Sequence, residues 1–125
     1  MAKVVLVNPP RSLHELGELA PPLGLLRLAA SLRRAGVCAE IVDFNLIHHE
    51  DHRFRSQDFY DNAVSMLISQ NADVYGFTSM AVDSHVAIEL GRQLKAVAPE
   101  ALIVVGGPHF SAIAAEVYSL SLLSG

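Results

Sequence analysis

The stretch that most constrains the fold runs from Ala101 to His109, where an apolar run meets two glycines and a proline. Residues 102–105 are apolar without alternation, which is typical of a strand covered on both faces of a parallel sheet. Gly106 and Gly107 then remove two successive side chains, so that a ligand can approach the backbone. Ligands of open parallel sheets bind outside the carboxyl ends of the strands, and this turn therefore predicts a binding edge.

Strands and helices alternate along the predicted chain. The helices are indicated by apolar residues at helical spacing, with Gly36 and Pro99 as stop signals and Asp58, Asp83 or Ser84 as start signals. Parallel strands need such crossovers, so we expect an α/β, doubly wound, flavodoxin-like sheet of order 2-1-3-4. The predicted strands cover 3–7, 37–44, 73–78 and 102–105. The apolar residues on one face of each predicted helix, which we call its stripe, are Leu25, Leu28, Ala29 and Leu32; Tyr60, Val64, Leu67 and Ile68; and Val86, Leu90, Leu94 and Val97. A last helix is predicted through Ile113 and Val117.

Composition narrows the class of protein. The chain has 125 residues, which we read as one domain, and a net charge of -4 without a basic cluster, which argues against nucleic-acid binding. It has no apolar run long enough to span a membrane and no signal peptide, so we expect a cytoplasmic protein. Its one cysteine, Cys38, excludes an internal disulfide and a cysteine-built metal cluster, and we expect it to be buried in a strand.

The predicted strand ends bring together an amide, hydroxyls, bare glycine backbone and an imidazole, but no nucleophile paired with a base. This set predicts a ligand site rather than a catalytic one; the alternative is that the turns only connect and cap. A dinucleotide site is disfavoured because no glycine follows the first strand, whereas a flavin site with Ser12 remains open. The residues are Asn8, Pro9 and Pro10; Thr78, Ser79 and Met80; and Gly106, Gly107, Pro108 and His109.

Four segments in order resemble one known family. They are Val-Val-Leu-Val-Asn-Pro-Pro at 4–10, Pro-Pro-Leu-Gly-Leu-Leu-x-Leu-Ala-Ala-x-Leu at 21–32, Ala-Asp-Val-x-Gly-Phe-Thr-Ser-Met at 72–80 and Val-Val-Gly-Gly-Pro-His at 104–109. Together they resemble the N-terminal cobalamin-binding domain of cobalamin-dependent radical SAM enzymes. The resemblance implies a corrinoid over the carboxyl edge of the sheet, with its nucleotide tail between the sheet and flanking helices. Its implied contacts are Asn8, Pro9, Thr78, Ser79, Met80, Gly106, Gly107, Pro108 and His109.

The chain departs from related patterns in two places. Other cobalamin domains carry Asp-x-His-x-x-Gly after the first strand, and here Ser12 precedes His14, so we do not expect His14 to bind cobalt. The S-adenosylmethionine and [4Fe-4S] cluster of radical methyl transfer would belong to a partner domain outside this chain. The resemblance also implies a fifth strand after residue 118. We therefore expect a fragment of a longer protein, whose fourth strand exposes an edge suited to homodimer formation.

Residues 48–52 are rich in histidine. His48 and His52 are spaced so that they would share one helix face and could chelate zinc. No apolar stripe accompanies them, so we interpret residues 46–57 as a solvated surface excursion without a metal. We expect His85 to be exposed as well.

Overall fold

The computed structural model describes residues 3–10, 22–54, 58–78 and 84–106. Within these ranges the four predicted strands and three of the predicted helices are present, whereas a short helix and a 3-10 turn after the second strand were not predicted. The last predicted helix, through Ile113 and Val117, lies outside the described residues. The elements are β1 (Lys3–Asn8), α1 (Leu23–Arg34), β2 (Cys38–Asp43), α2 (Phe44–Glu50), a 3-10 turn (His52–Phe54), α3 (Phe59–Ser69), β3 (Val74–Thr78), α4 (Ser84–Val97) and β4 (Leu102–Gly106).

The four strands form one parallel sheet in the order β2-β1-β3-β4, which confirms the predicted topology. β1 lies between β2 and β3, so the chain reverses its direction of winding at β1. All carboxyl ends therefore lie at one edge of the sheet. At that edge Asn8 is in register with Asp43, and Thr78 with Gly106.

Helix α1 ends as its sequence predicts and is fixed to the edge strand. Arg33 and Arg34 occupy its last turn, where cations interact favourably with the helix dipole. Gly36 follows with a φ of 85°, a left-handed conformation that glycine adopts without strain. The Arg33 guanidinium donates to the Ala39 carbonyl of β2 from Nε at 2.9 Å and from Nη2 at 2.6 Å.

One face of the sheet carries the main core, which we call the dense face. Helices α2, α3 and α4 pack against it, with three phenylalanine rings at centroid distances between 5.8 and 6.5 Å. The Tyr75 hydroxyl lies inside this core, donating to the Leu67 carbonyl at 2.8 Å and accepting from the Ala72 N–H at 3.2 Å. Its buried members are Val5, Val7, Val42, Phe44, Phe54, Phe59, Ala63, Leu67, Tyr75, Phe77, Val86, Ala87, Leu90, Leu94 and Ala101.

The other face, which we call the open face, buries fewer side chains among the described residues. Its cluster is Leu6, Leu25, Ala29 and Ala39, with Val4, Leu32 and Ile41 partly buried beside them. Helix α1 therefore covers β1 and β2. On the same face, β4 carries Leu102 and Val104, which are 57% and 45% exposed.

Several residues predicted to be buried are exposed instead. Cys38 begins the edge strand β2, and Val97 ends α4 beyond the sheet, so neither reaches the core. Leu28 and Ile68 lie on the flanks of their helices. The buried residues of α3 are Phe59, Ala63 and Leu67, so the buried stripe begins one residue earlier than the predicted stripe, which began at Tyr60. The strand at 102–105 was expected to be covered on both faces, and Leu102 and Val104 contradict this.

The prediction of a solvated excursion at 46–57 is wrong, because His48 and Phe54 are buried, at 2% and 4% exposed; residues 55–57 lie outside the described residues. Asp43 caps α2 by accepting from the N–H groups of Asn45 and Leu46, and this helix turns Phe44, Asn45 and His48 inward. His52 falls outside α2, so it does not share a helix face with His48. Among the described residues, no group of three or more His, Cys, Asp or Glu side chains could hold a metal ion.

Asp58 and His85 lie at the starts of α3 and α4. Asp58 is the N-cap residue of α3 as predicted, but its side chain makes no capping hydrogen bond. His85 is exposed near the start of α4, as expected. None of the described helices combines the length and apolar character that crossing a bilayer requires.

Candidate functional site

The residues at the carboxyl ends of the four strands form a row on the open face of the sheet. Side chains alternate between the two faces of a strand. Val7, Val42, Phe77 and Val105 all pack on the dense face, so the residue after each of them belongs to the open face. Register places these residues side by side. We call them the strand-end row: Asp43, Asn8, Thr78 and Gly106.

A hydrogen bond fixes one half of this row. Asn8 Nδ2 donates to Asp43 Oδ1 at 2.9 Å, across the register pair of β1 and β2. The same oxygen accepts from the backbone N–H groups of Asn45 at 3.1 Å and Leu46 at 3.3 Å. Asp43 thus joins the end of the sheet to the start of α2.

Below the row lies an apolar surface, the groove floor, formed by Gly76 and Val104, which are neighbours in register across β3 and β4. Their register neighbour on β1, Leu6, is buried beside them under α1. Gly76 lies against Leu6: a Cβ built there would lie 3.1 Å from Leu6 Cδ2, closer than ordinary packing allows. A Cβ on Gly106, at the upper end of β4, would meet nothing within 4 Å. Among the described residues, the surface at β4 is therefore apolar at Val104 and uncovered at Gly106.

Helix α1 forms one wall of this groove. Its inward stripe consists of the buried Leu25 and Ala29 and the partly buried Leu32, and each residue turns the helix by roughly 100°. Arg33 lies on the flank that contacts Ala39 of β2, so Leu28 lies on the opposite flank, toward β3. Leu28 is 46% exposed there. An exposed leucine beside an exposed apolar strand face marks a surface that another group can cover.

The structure brings together those predicted site residues that it describes. Asn8, Thr78 and Gly106 are partly exposed members of the row, whereas Pro9 is fully buried and fixes the direction of the chain after β1. The remaining predicted contacts lie outside the described residues, as do the two residues at the positions of the cobalt-binding motif. They are Ser79, Met80, Gly107, Pro108, His109, Ser12 and His14.

Two features of the site were missed by sequence reasoning. The bond between Asn8 and Asp43 depends on the register of two strands whose partners are 35 residues apart, and no local pattern reveals it. Gly76 did have a signal, because an isolated glycine within a strand indicates a close approach to the backbone.

Groups with shifted pKa values lie away from the row. The Arg53 guanidinium and N–H lower the pKa of Asp51 to about 2, and the Asp51 carboxylate raises the pKa of Arg53. Burial, with a contribution from Glu89, raises the pKa of Tyr60 on α3. None of these three belongs to the row, whose amide, hydroxyl and carboxylate groups are suited to hydrogen bonding.

Comparison with known proteins places the chain in a family. A family model described as the B12 binding domain matches residues 12–123, which is most of the chain and includes Thr78, Gly76 and Gly106. No curated protein and no solved structure gives a significant match.

Proposed function

This chain belongs to the B12-binding domain family, and on that premise we propose that it binds cobalamin over the strand-end row. The observation that carries the proposal is the combination of hydrogen-bonding strand ends with an apolar floor. The corrin periphery carries amides, which the Asn8 and Thr78 side chains can bond. A bound corrinoid would supply a cobalt centre able to carry an alkyl group.

The groove floor fits the remaining part of the cofactor. The resemblance implies that the nucleotide tail lies between the sheet and flanking helices, and the groove runs between α1 and the open side of β3 and β4. Gly76 lies against Leu6 there: a Cβ at this position would be 3.1 Å from Leu6 Cδ2, so a side chain would force Leu6 to move and would disturb the floor. We propose that Gly76 and Val104 contact the tail.

The proposed contacts fall into two groups. Asn8, Thr78 and Gly106 are supported by their place in the strand-end row. Pro9, Ser79, Met80, Gly107, Pro108 and His109 are proposed from the sequence resemblance.

Titration with hydroxocobalamin tests this function, followed by the change in its visible spectrum. We compare Val104→Lys with Val97→Lys, since both valines are exposed but only Val104 lies on the groove floor. Placing an ammonium in an apolar contact is costly, so the first variant should bind at least about tenfold more weakly and the second normally. Absence of a saturable change for the folded wild-type chain would refute the proposal. Equal binding by both variants would exclude the groove.

We further propose that the cobalamin is bound without its nucleotide base or a protein histidine on the cobalt. Ser12 stands where an aspartate would orient the His14 ring. Electron paramagnetic resonance of the cob(II)alamin form should lack nitrogen hyperfine splitting. Splitting that disappears in His14→Ala would contradict this.

We also propose that the domain presents cobalamin to a radical SAM domain for methyl transfer or related chemistry, which rests on the four motif segments. The iron–sulfur cluster must be held elsewhere, because Cys38 is this chain's one cysteine. The protein purified anaerobically from its source should carry iron and acid-labile sulfide together with cobalt. Cobalt without iron would contradict the association.

Self-association is the last part of the proposal. β4 is last in the strand order, paired with β3, and Leu102 and Val104 add exposed apolar surface to that edge. We propose that two copies pair through β4, which predicts a dimer in sedimentation velocity at micromolar concentration. A monomer throughout the concentration series, with protected amides at Ile103 and Val105, would mean that the chain covers its own edge.

A further inference from the structure

The amide of Asn8 is held in one orientation by Asp43. Three donors converge on Asp43 Oδ1, namely Asn8 Nδ2 and the N–H groups of Asn45 and Leu46. An ionised carboxylate can only accept hydrogen bonds, so Asn8 must turn its NH₂ group toward Asp43. Its carbonyl oxygen, Oδ1, is then directed away from Asp43.

Asp43 is itself well fixed. It is the N-cap of α2 and the register partner of Asn8 across β1 and β2. Both side chains are partly exposed at the carboxyl edge, where the proposed cofactor would lie. The orientation of the Asn8 amide is therefore set before any ligand arrives, and this lowers the cost of ordering it on binding.

The exposed part of the pair is rich in acceptors and carries negative charge. Among the described residues, Arg53 pairs with Asp51 and Arg92 with Glu89, and no ion pair includes Asp43. A ligand group that donates hydrogen bonds is favoured beside this pair. A ligand carboxylate meets acceptors and a like charge, which disfavours it.

We infer that the Asn8–Asp43 pair selects corrinoids whose peripheral side chains are carboxamides over corrinoids that carry carboxylates. This inference rests on the proposed function. Asn8 determines the specificity because its Oδ1 accepts from a ligand NH₂ group. Asp43 is a positioning residue that fixes the amide and adds the repulsive charge.

The test compares two corrinoids without a nucleotide tail, so that the groove contributes equally to both. Dicyanocobinamide carries amides and dicyanocobyrinic acid carries carboxylates. The wild-type chain should bind the amide form at least about tenfold more tightly, since a carboxylate leaves the acceptors unpaired. Asp43→Asn should reduce this ratio to about threefold or less, because an asparagine can still cap α2 but no longer fixes the Asn8 amide.

Two further variants separate specificity from folding and from net charge. Asn8→Ala leaves the cap of α2 intact and should reduce the ratio as well. Glu40→Gln removes one negative charge from the same strand, but Glu40 lies on the opposite face of the sheet from Asp43. The binding ratio of this variant should therefore match that of the wild type. A residue that only supports the fold would weaken both ligands alike and leave the ratio unchanged.

The outcomes distinguish the two proposals. If the folded wild-type chain binds neither corrinoid, the proposed function fails. If it binds both equally, or if Asp43→Asn and Asn8→Ala keep the wild-type ratio, cobalamin binding stands and the selectivity is refuted. A reduced ratio in Glu40→Gln equal to that in Asp43→Asn would assign the effect to net charge and overturn the role of the pair.

Discussion

The two faces of the sheet are built differently, although each strand contributes to both. Among the described residues, the dense face has 15 buried members in its cluster and the open face has four. The dense face contains aromatic rings and long aliphatic chains, while the open face uses alanine, glycine and a few leucines. The contrast indicates that the dense face supplies most of the stability, because buried apolar area is the main favourable term in folding.

The open face is sparse where the proposed ligand enters. Helix α1 closes it over β1 and β2, and Leu102 and Val104 of β4 stay exposed. A site for a large cofactor needs an apolar surface that the chain has not filled with its own side chains. The separation lets one face be optimised for packing and the other for binding.

The largest expected effect comes from truncating the dense face. Phe59 is 1% exposed and contacts Phe44, Phe54 and Tyr60 ring to ring. Phe59→Ala should lower the free energy of unfolding by about 4 kcal/mol, whereas Leu28→Ala on the open face should cost less than about 1 kcal/mol. Urea denaturation measures both. Equal losses would remove the distinction between the faces.

A smaller effect is expected from a hydrogen bond inside the dense face. Tyr75→Phe removes the hydroxyl that bonds the Leu67 carbonyl and the Ala72 N–H, at a cost of about 1–2 kcal/mol. Tyr60→Phe is the matched control, because Tyr60 is only partly buried and should change stability by less than about 0.5 kcal/mol. A neutral Tyr75→Phe would show that packing alone holds this region.

One methyl group can be added to each side of the sheet to compare them directly. Gly91→Ala in α4 brings a Cβ to 3.5 Å from Ile103, an ordinary contact, and should stabilise the chain by up to about 1 kcal/mol. Gly76→Ala should cost up to about 1 kcal/mol because Leu6 must shift. Only Gly76→Ala should weaken cobalamin binding, several-fold by spectroscopic titration. Weaker binding in both variants would contradict separate roles for the faces.

The sequence predicted the parts of this fold that depend on local order. Apolar runs, Gly36 and Pro99 mark where elements begin and end, and parallel pairing leaves few topologies to choose from. Burial at the ends and flanks of elements was harder to predict. Val97 continues the stripe of α4 but projects past the sheet, and Leu28 continues the stripe of α1 but lies beside the sheet. Cys38 is exposed because it lies on an edge strand.

The missed features of the site have the same cause. Asn8 was predicted as a strand-end residue, but its bond to Asp43 exists only once β1 and β2 are in register. The inward turn of His48 depends on the cap that Asp43 provides for α2. Such relations join residues that are distant along the chain, and spacing does not encode them.

The smallest expected effect concerns the solvent side of the segment that covers the dense face. Asp51 accepts from the Arg53 side chain, with Nη2 at 2.6 Å from Oδ2, and from the Arg53 N–H at 3.0 Å. These bonds lower the Asp51 pKa from 3.8 to about 2. A carboxyl group whose pKa is lower in the folded than in the unfolded chain stabilises the folded state at pH values above the unfolded pKa. For Asp51 this contribution is lost as the pH falls from about 3.8 to about 2.

Arg53→Gln removes the guanidinium but keeps the backbone donor, so the Asp51 pKa should rise only part of the way back, as NMR titration of the carboxyl carbon would measure. Arg92→Gln, which breaks the pair with Glu89, should leave the Asp51 pKa unchanged. Because the Asp51–Arg53 pair is solvent-exposed, unfolding at neutral pH should barely respond to its loss. A marked loss of stability in Arg53→Gln would mean that the dense face depends on its surface charges as well as on its packing.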